Sequence, residues 1–160
     1  FDGQKVSKSR IITSVDYSMV SMEAFEIYAA NHDIHVMDFV LKLDAYTYYM
    51  MNLLDYLIGN TDRHWGNWGF LVDNRTNQPV RLFDLMDLNQ TFLAYDTPDG
   101  ANCMTTGNRK MSQREAAVEA VKKIGLNQRA EIKDEWFKGR EKEREMFWCR
   151  FGILKEQWKA

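Results

Sequence analysis

The chain has 160 residues, enough for one domain with a buried core but short for a two-lobed enzyme. Hydrophobic residues at 45% and aromatics at 13%, with two prolines, exclude a disordered chain, and a formal net charge of -2 excludes a whole-chain field that would draw it to nucleic acid or an anionic membrane. Cys103 and Cys149 lie far apart with no Cys-x-x-Cys spacing, which fits free thiols in a reducing compartment and leaves a disulfide open. No run approaches a membrane span, and FDGQKVSKSR lacks a signal peptide's apolar core, so a cytoplasmic protein is expected, with neither direct nucleic-acid binding nor membrane contact.

Residues 1 to about 17 read as a short strand or extended lead-in, with TSVDYS supplying turn and capping chemistry. From Ser21, MEAFEIYAANH predicts a short helix that ends at Asn31, a residue tolerant of the left-handed conformation. VMDFVLKL predicts a second helix, with Val36, Phe39, Val40 and Leu43 at helical spacing and Asp44 as cap for the next. In DAYTYYMMNLLDYLIGN, the residues Tyr49, Met50, Leu53, Leu54, Leu57 and Ile58 make one wide apolar stripe, stopped by Gly59-Asn60.

WGFLVD and VRLF, separated by NRTNQP, read as a β-hairpin with Pro79 restarting its second strand at an edge. Residues 96–111 read as a long loop. Ser112 opens a capping box, SQRE, and a helix that ends at Gly125. Residues 128–138 and 140–158 read as mostly helical, the latter amphipathic.

Several conspicuous features take plain readings. KGREKEREM has mixed-sign charges at spacings that make a solvated helix face. His32 and His35 sit three apart, a spacing that could ligate a metal, but without accompanying ligands a helix-to-helix turn is expected. Trp65 and Trp68 could stack on a base, yet they flank the hairpin and are expected to pack.

The stretch LIGNTDRHWGNWGFLVDN gathers polar side chains where an apolar helix gives way to an aromatic strand. Phosphoryl transfer needs a carboxylate to orient a hydroxyl and two oxygen ligands that hold magnesium against nucleotide phosphates. Protein kinases supply these from a catalytic loop with an Asp five positions before an Asn, then a hairpin and a second Asp. Here Asp62 precedes Asn67 by that spacing, a hairpin follows, and Asp84 and Asp87 come after it. The bare residues also admit a plainer reading, with Asp62 as a cap, Asn67 as a turn residue, and Asp84 and Asp87 as surface carboxylates ending a strand.

GNTDRHWGN, followed by a strand, a turn and LFDLMDLNQ, resembles the C-terminal lobe of HipA-like serine/threonine kinases over roughly residues 45–95. Phosphoinositide lipid kinases carry a similar Asp-Arg-His-x-x-Asn loop. The resemblance implies an α+β fold, a mainly helical kinase-like C-terminal lobe with a small β-hairpin carrying metal ligands, formed by residues 1–160 as a single domain. It implies ATP-dependent transfer to Ser or Thr hydroxyls of a protein substrate, with Mg2+ as second cofactor.

By position, Asp62 resembles the catalytic Asp and Asn67 the magnesium-binding Asn. Asp87, held in Met86-Asp87-Leu88, resembles the second magnesium carboxylate, with Asn89 where the family triplet has Gly; Asp84 is the rival. A turn centred near Arg75 and Thr76 would bring Asp84 opposite Asn67, one near Asn77 would favour Asp87, and alternating strand faces would keep both from one ion. His64, placed with the catalytic group, and Arg63, placed with the cofactor-binding group, are expected to brace the loop or contact a phosphate; Asn60 is expected to cap the preceding helix.

The sequence contains no G-x-G-x-x-G, and Lys5 and Lys8 stand at its very start. With Phe1 in place of an initiating Met, the expectation is a piece of a longer protein whose nucleotide-binding N-terminal lobe precedes it, transferring phosphate very poorly alone. Some members of the resembled family are toxins held by a DNA-binding antitoxin, so such a partner is admitted, though no residue here indicates one. A catalytically silent interaction module is the alternative from another class. A lipid kinase lobe is the third reading, for which residues 96–111 supply only Arg109 and Lys110 as basic groups.

Overall fold

A computed structural model describes residues 11–92, 97–106, 110–126 and 131–159. Lys5, Lys8, Arg109 and residues 128–130 therefore lie outside the described residues. The described chain is a mixed α+β structure of four α-helices and one three-stranded antiparallel sheet.

The first strand, β1 (Tyr17–Ser21), begins inside the segment read as a turn. Ser14 explains the shift: its Oγ accepts from the backbone N–H of Asp16 at 3.1 Å and of Tyr17 at 3.2 Å, turning the chain just before the strand. Ser21 then closes β1 and caps α1 (Met22–Ala30), its hydroxyl accepting from Ala24 N at 3.2 Å. Asn31 ends α1 in the right-handed region, and the left-handed residue is Asp33, with φ 53.

The two helices expected next are joined as α2 (Val36–Ile58), kinked at Asp44, where φ is -155 and ψ 64. Asp44 caps the second half, as expected, by accepting from Thr47 N at 3.2 Å. Its other oxygen accepts from Leu82 N at 3.1 Å, which ties the kink to the sheet. Gly59, at φ 61 and ψ 49, stops α2 in the left-handed region that glycine tolerates.

The predicted hairpin is β2 (Gly69–Asp73) and β3 (Gln78–Leu82), with β1 on the other side of β2 in the order β1-β2-β3. Ser21 pairs with Gly69 and Tyr17 with Asp73; Phe70 pairs with Leu82 and Asp73 with Gln78. Asp73 shapes the turn by accepting from Arg75 N at 2.8 Å and Thr76 N at 2.9 Å. These N–H groups, Thr76 foremost, hold its carboxyl below the ordinary value against a smaller opposing effect of desolvation. Pro79 sits on the edge strand opposite Val72, beside an irregularity between Leu71 and Val72, where a missing N–H is tolerated.

The capping box forms as predicted: Ser112 Oγ accepts from Glu115 N at 3.2 Å, Glu115 accepts from Ser112 N at 2.7 Å, and α3 (Gln113–Ile124) runs to Gly125. Of the helix expected over 128–138, the described part holds a short 3-10 turn at Asp134–Phe137, bounded by Gly139 at φ 74. Asp134 fastens it to α4 (Glu141–Lys159) by pairing with Arg144 at 2.7 Å and accepting from Trp148 Nε1 at 3.2 Å.

The core gathers Met22 and Phe25 of α1, Tyr48, Met51 and Tyr56 of α2, Phe70 and Leu82 of the sheet, Ala117 and Val121 of α3, and Leu154 of α4. Helix α2 is its spine, packing against α3, α4 and β3. No described helix is long and apolar enough to cross a membrane.

Candidate functional site

The loop between α2 and β2 is tied together by buried polar side chains, Asn60, Arg63 and Asn67, while the buried indole Nε1 of Trp68 finds no partner among the described residues. Asn60 has no exposed surface and bonds in three directions. Its amide donates to Asp55 Oδ1 at 2.9 Å, its Oδ1 accepts from Asp62 N at 3.1 Å, and its backbone carbonyl accepts from the Gln113 amide. Its backbone N–H also donates to Asp55 O at 2.8 Å, so it caps the end of α2 as expected while its Oδ1 anchors the start of the loop.

Arg63 is 3% exposed and forms a two-pronged pair with Asp55, which is equally enclosed: Nε to Oδ2 at 2.9 Å and Nη2 to Oδ1 at 3.0 Å. Its Nη1 donates to the carbonyl of Asn67 at 3.1 Å and to that of Met86 at 3.0 Å. One buried guanidinium therefore holds three stretches of chain: the last turns of α2, the loop, and the segment beyond β3. Of the two roles expected for Arg63, these bonds supply the brace.

Asn67 is buried, and its amide nitrogen donates to the carbonyl of Asp62, five positions back, closing the loop on itself. A carbonyl can only accept, so this bond fixes which end of the amide faces it and turns Oδ1 the other way, where it accepts a long bond from Arg63 Nη1 at 3.5 Å. Asp62 is half-buried, and its carboxylate accepts no hydrogen bond among the described residues. His64 is exposed, with Nδ1 accepting from Gly66 N at 3.0 Å, which in the neutral ring places the hydrogen on Nε2 as a donor. A Cβ on Gly66 would stand 2.9 Å from that ring.

The turn of the hairpin is centred on Arg75 and Thr76, the placement expected to favour Asp84. The strand irregularity shifts the register by one, and Phe83 N continues the pairing to Gly69 O at 2.9 Å. Asp84 then pairs outward with Arg81 at 2.9 Å. Both candidate acids lie past the end of β3, so strand alternation does not govern them as expected. Asp87 is exposed, at φ 55 in the left-handed region, and its carboxylate has no partner among the described residues. Its predecessor, Met86, presents the carbonyl that shares Arg63 Nη1 with Asn67, so these backbones are neighbours.

The loop's outer wall is the 102–106 segment. Trp65 Nε1 donates to Met104 O at 2.7 Å, and Thr105 Oγ1 donates to the buried Asn52 Oδ1 at 2.7 Å. Trp65 and the buried Trp68 both pack, as expected. Below them, burial pushes the Tyr48 phenol up to about 12, against the smaller opposing effect of a hydrogen bond with Asn52.

His32 and His35 belong to the turn between α1 and α2: His32 Nδ1 meets Tyr28 O at 2.8 Å, and His35 caps α2 through Asp38 N at 3.4 Å. Among the described residues no three His, Cys, Asp or Glu side chains gather as a metal cage. Any cation near Asn67 would rely on few protein oxygens.

Asp55, Asn52 and Gln113 were not singled out in the sequence. Asp55 left a trace there: a carboxylate inside the apolar run LLDYLI must find a buried partner. No protein-family model, curated protein or solved structure matches the chain.

Proposed function

We propose that the chain carries the catalytic half of an ATP-dependent kinase acting on protein Ser or Thr hydroxyls. The observation that carries this reading is the buried Arg63 that holds Asn67 and the Met86-Asp87 segment together, next to the Asp62 carboxylate, which accepts no hydrogen bond among the described residues. The order of parts, a rigid helix, a polar loop and a returning hairpin, is the order such chemistry requires.

The donor set fits magnesium. Asn67 Oδ1 and the Asp87 carboxylate are hard oxygens, and magnesium characteristically takes one or two protein oxygens plus waters and phosphates. Asn67 and Asp87 would hold magnesium, which would supply positive charge to offset that of the nucleotide phosphates. Asp87 is preferred over Asp84 because its carboxylate has no partner among the described residues, whereas Asp84 pairs with Arg81, and because its left-handed backbone is of a kind that clusters at functional sites. Asp62 would orient the acceptor hydroxyl and take its proton. His64, with a proton on Nε2, is suited to donate to a phosphate oxygen and not to act as base.

The test is transfer of label from γ-labelled ATP to protein Ser and Thr by the natural full-length chain with magnesium. Wild type and Asp84→Ala should label; Asp62→Ala and Asp87→Ala should lose about a hundredfold or more. Equal labelling by all four would overturn the reading.

A further inference from the structure

We infer that Asp55 and Arg63 form the positioning device of the cation site, with Asp55 setting both the aim and the net charge of the Arg63 guanidinium. This rests on the reading above of Asn67 and Asp87 as magnesium ligands.

The aim follows from geometry. Asp55 binds Nε and Nη2 of Arg63, two nitrogens on one edge of the planar fork, at 2.9 and 3.0 Å. Seating that edge leaves Nη1 no freedom to rotate, so it must point along one line, where it meets Asn67 O and Met86 O. The separation between the Asn67 backbone and the backbone leading into Asp87 is thereby fixed from the last turns of α2. Asn60, on the same Asp55 oxygen and on Asp62 N, carries the setting to the proposed catalytic acid.

The charge matters because Arg63 Nη1 stands 3.5 Å from Asn67 Oδ1. A bare guanidinium that close would repel a divalent cation at that oxygen. Asp55 cancels it inside the protein, where water cannot. A lysine at 63 would keep the charge but supply one flexible ammonium, unable to hold Asp55 and two carbonyls together. Asp55 and Arg63 touch no reacting atom in this arrangement; they act through Asn67 and Asp87.

The experiment is titration of Mn2+ with ADP into this chain, read by the electron paramagnetic resonance of free Mn2+. The variants are Asn67→Ala, Arg63→Lys, Asp55→Asn and the double Asp55→Asn/Arg63→Met, each checked by circular dichroism for wild-type helix content. The double variant removes both buried charges together and keeps an acceptor for Asn60, a change that buried pairs often tolerate in stability.

The expected result is wild-type binding, loss in Asn67→Ala, and affinity lowered about ten- to a hundredfold in Arg63→Lys, Asp55→Asn and the double variant while folded, the range seen when groups behind a metal's ligands are altered. Wild-type affinity in the folded double variant and in Arg63→Lys, with Asn67→Ala still defective, would overturn the positioning role alone. Absence of binding by wild type, or wild-type affinity in Asn67→Ala, would overturn the site reading and this inference with it.

Discussion

Replacing Gly69 by Ala should unseat the junction that carries Asn67 into the sheet. A Cβ there would lie 2.2 Å from Val20 O, 2.8 Å from Met22 N and 2.8 Å from Ser21 C. All three are backbone atoms, so no side chain can swing aside. Relief requires β1 to move away from β2 where Ser21 pairs with Gly69, and the adjoining bond from Met22 N to Trp68 O, 2.8 Å long, would weaken with it. Overpacking of this kind costs about 1 to 3 kcal/mol, and the backbone hydrogen bond lost adds about 1 kcal/mol, for a total of roughly 2 to 4 kcal/mol. Gly152, inside α4, is the internal control, because a Cβ added there would meet nothing within 4 Å. Ala there should be neutral or stabilising by about 0.5 to 1 kcal/mol, because glycine is the poorer helix former. Urea unfolding followed by tryptophan fluorescence measures both. A loss below about 1 kcal/mol for Gly69→Ala, or equal effects at the two glycines, would refute the packing argument.

Further outcomes concern the layers around the site. Tyr48→Phe should flatten the loss of stability at alkaline pH: a phenol raised from the ordinary value near 10 to about 12 stabilises the fold fully below 10 and loses that contribution as pH climbs through 12. The difference between the two proteins' unfolding curves should amount to about 2 to 3 kcal/mol across that window, and parallel curves would contradict it. Trp65→Phe keeps the ring but deletes the donor to Met104 O, so amides of 102–106 should exchange with deuterium roughly fivefold faster while α3 stays protected. Asp44→Ala should cost about 2 kcal/mol in denaturant unfolding by orphaning Leu82 N and uncapping Thr47, with Asp44→Asn losing less.

Much of the fold was legible because local chemistry and tertiary role agree. The Ser-x-x-Glu of residues 112–115 caps its helix without help from distant residues, and the Asn-rich turn with flanking β-formers makes the hairpin. Strand β1 was hidden because its five residues owe their conformation to β2, some fifty residues away along the chain, and not to their own pattern. Asp44 showed its cap but not its second bond, since Leu82 N reaches it only through tertiary folding.

The site divides the same way. The spacing of Asp62 and Asn67 is a local fact, and the amide of Asn67 closing on the Asp62 carbonyl is its local consequence. The rivalry of Asp84 and Asp87 could not be read from strand alternation because β3 ends at Leu82, before both acids, and the pairing of Asp84 with Arg81 is a side-chain contact that no hydrophobic pattern encodes. Asp55 was concealed by its company: a single acid in an apolar helix stripe announces a buried partner but does not name Arg63 eight positions on.

Asn67 and Asp87 must share one divalent cation if the site works as proposed. Paramagnetic broadening by Mn2+ with ADP, followed by NMR on chain labelled at asparagine and aspartate, addresses this directly. Signals of Asn67, Asp87 and Asp62 should broaden together at the lowest Mn2+ added, with Asp84 and the carboxylates of α4 less affected. Broadening centred on Asp84 and Arg81, or spread evenly over exposed acids with Asn67 untouched, would contradict it.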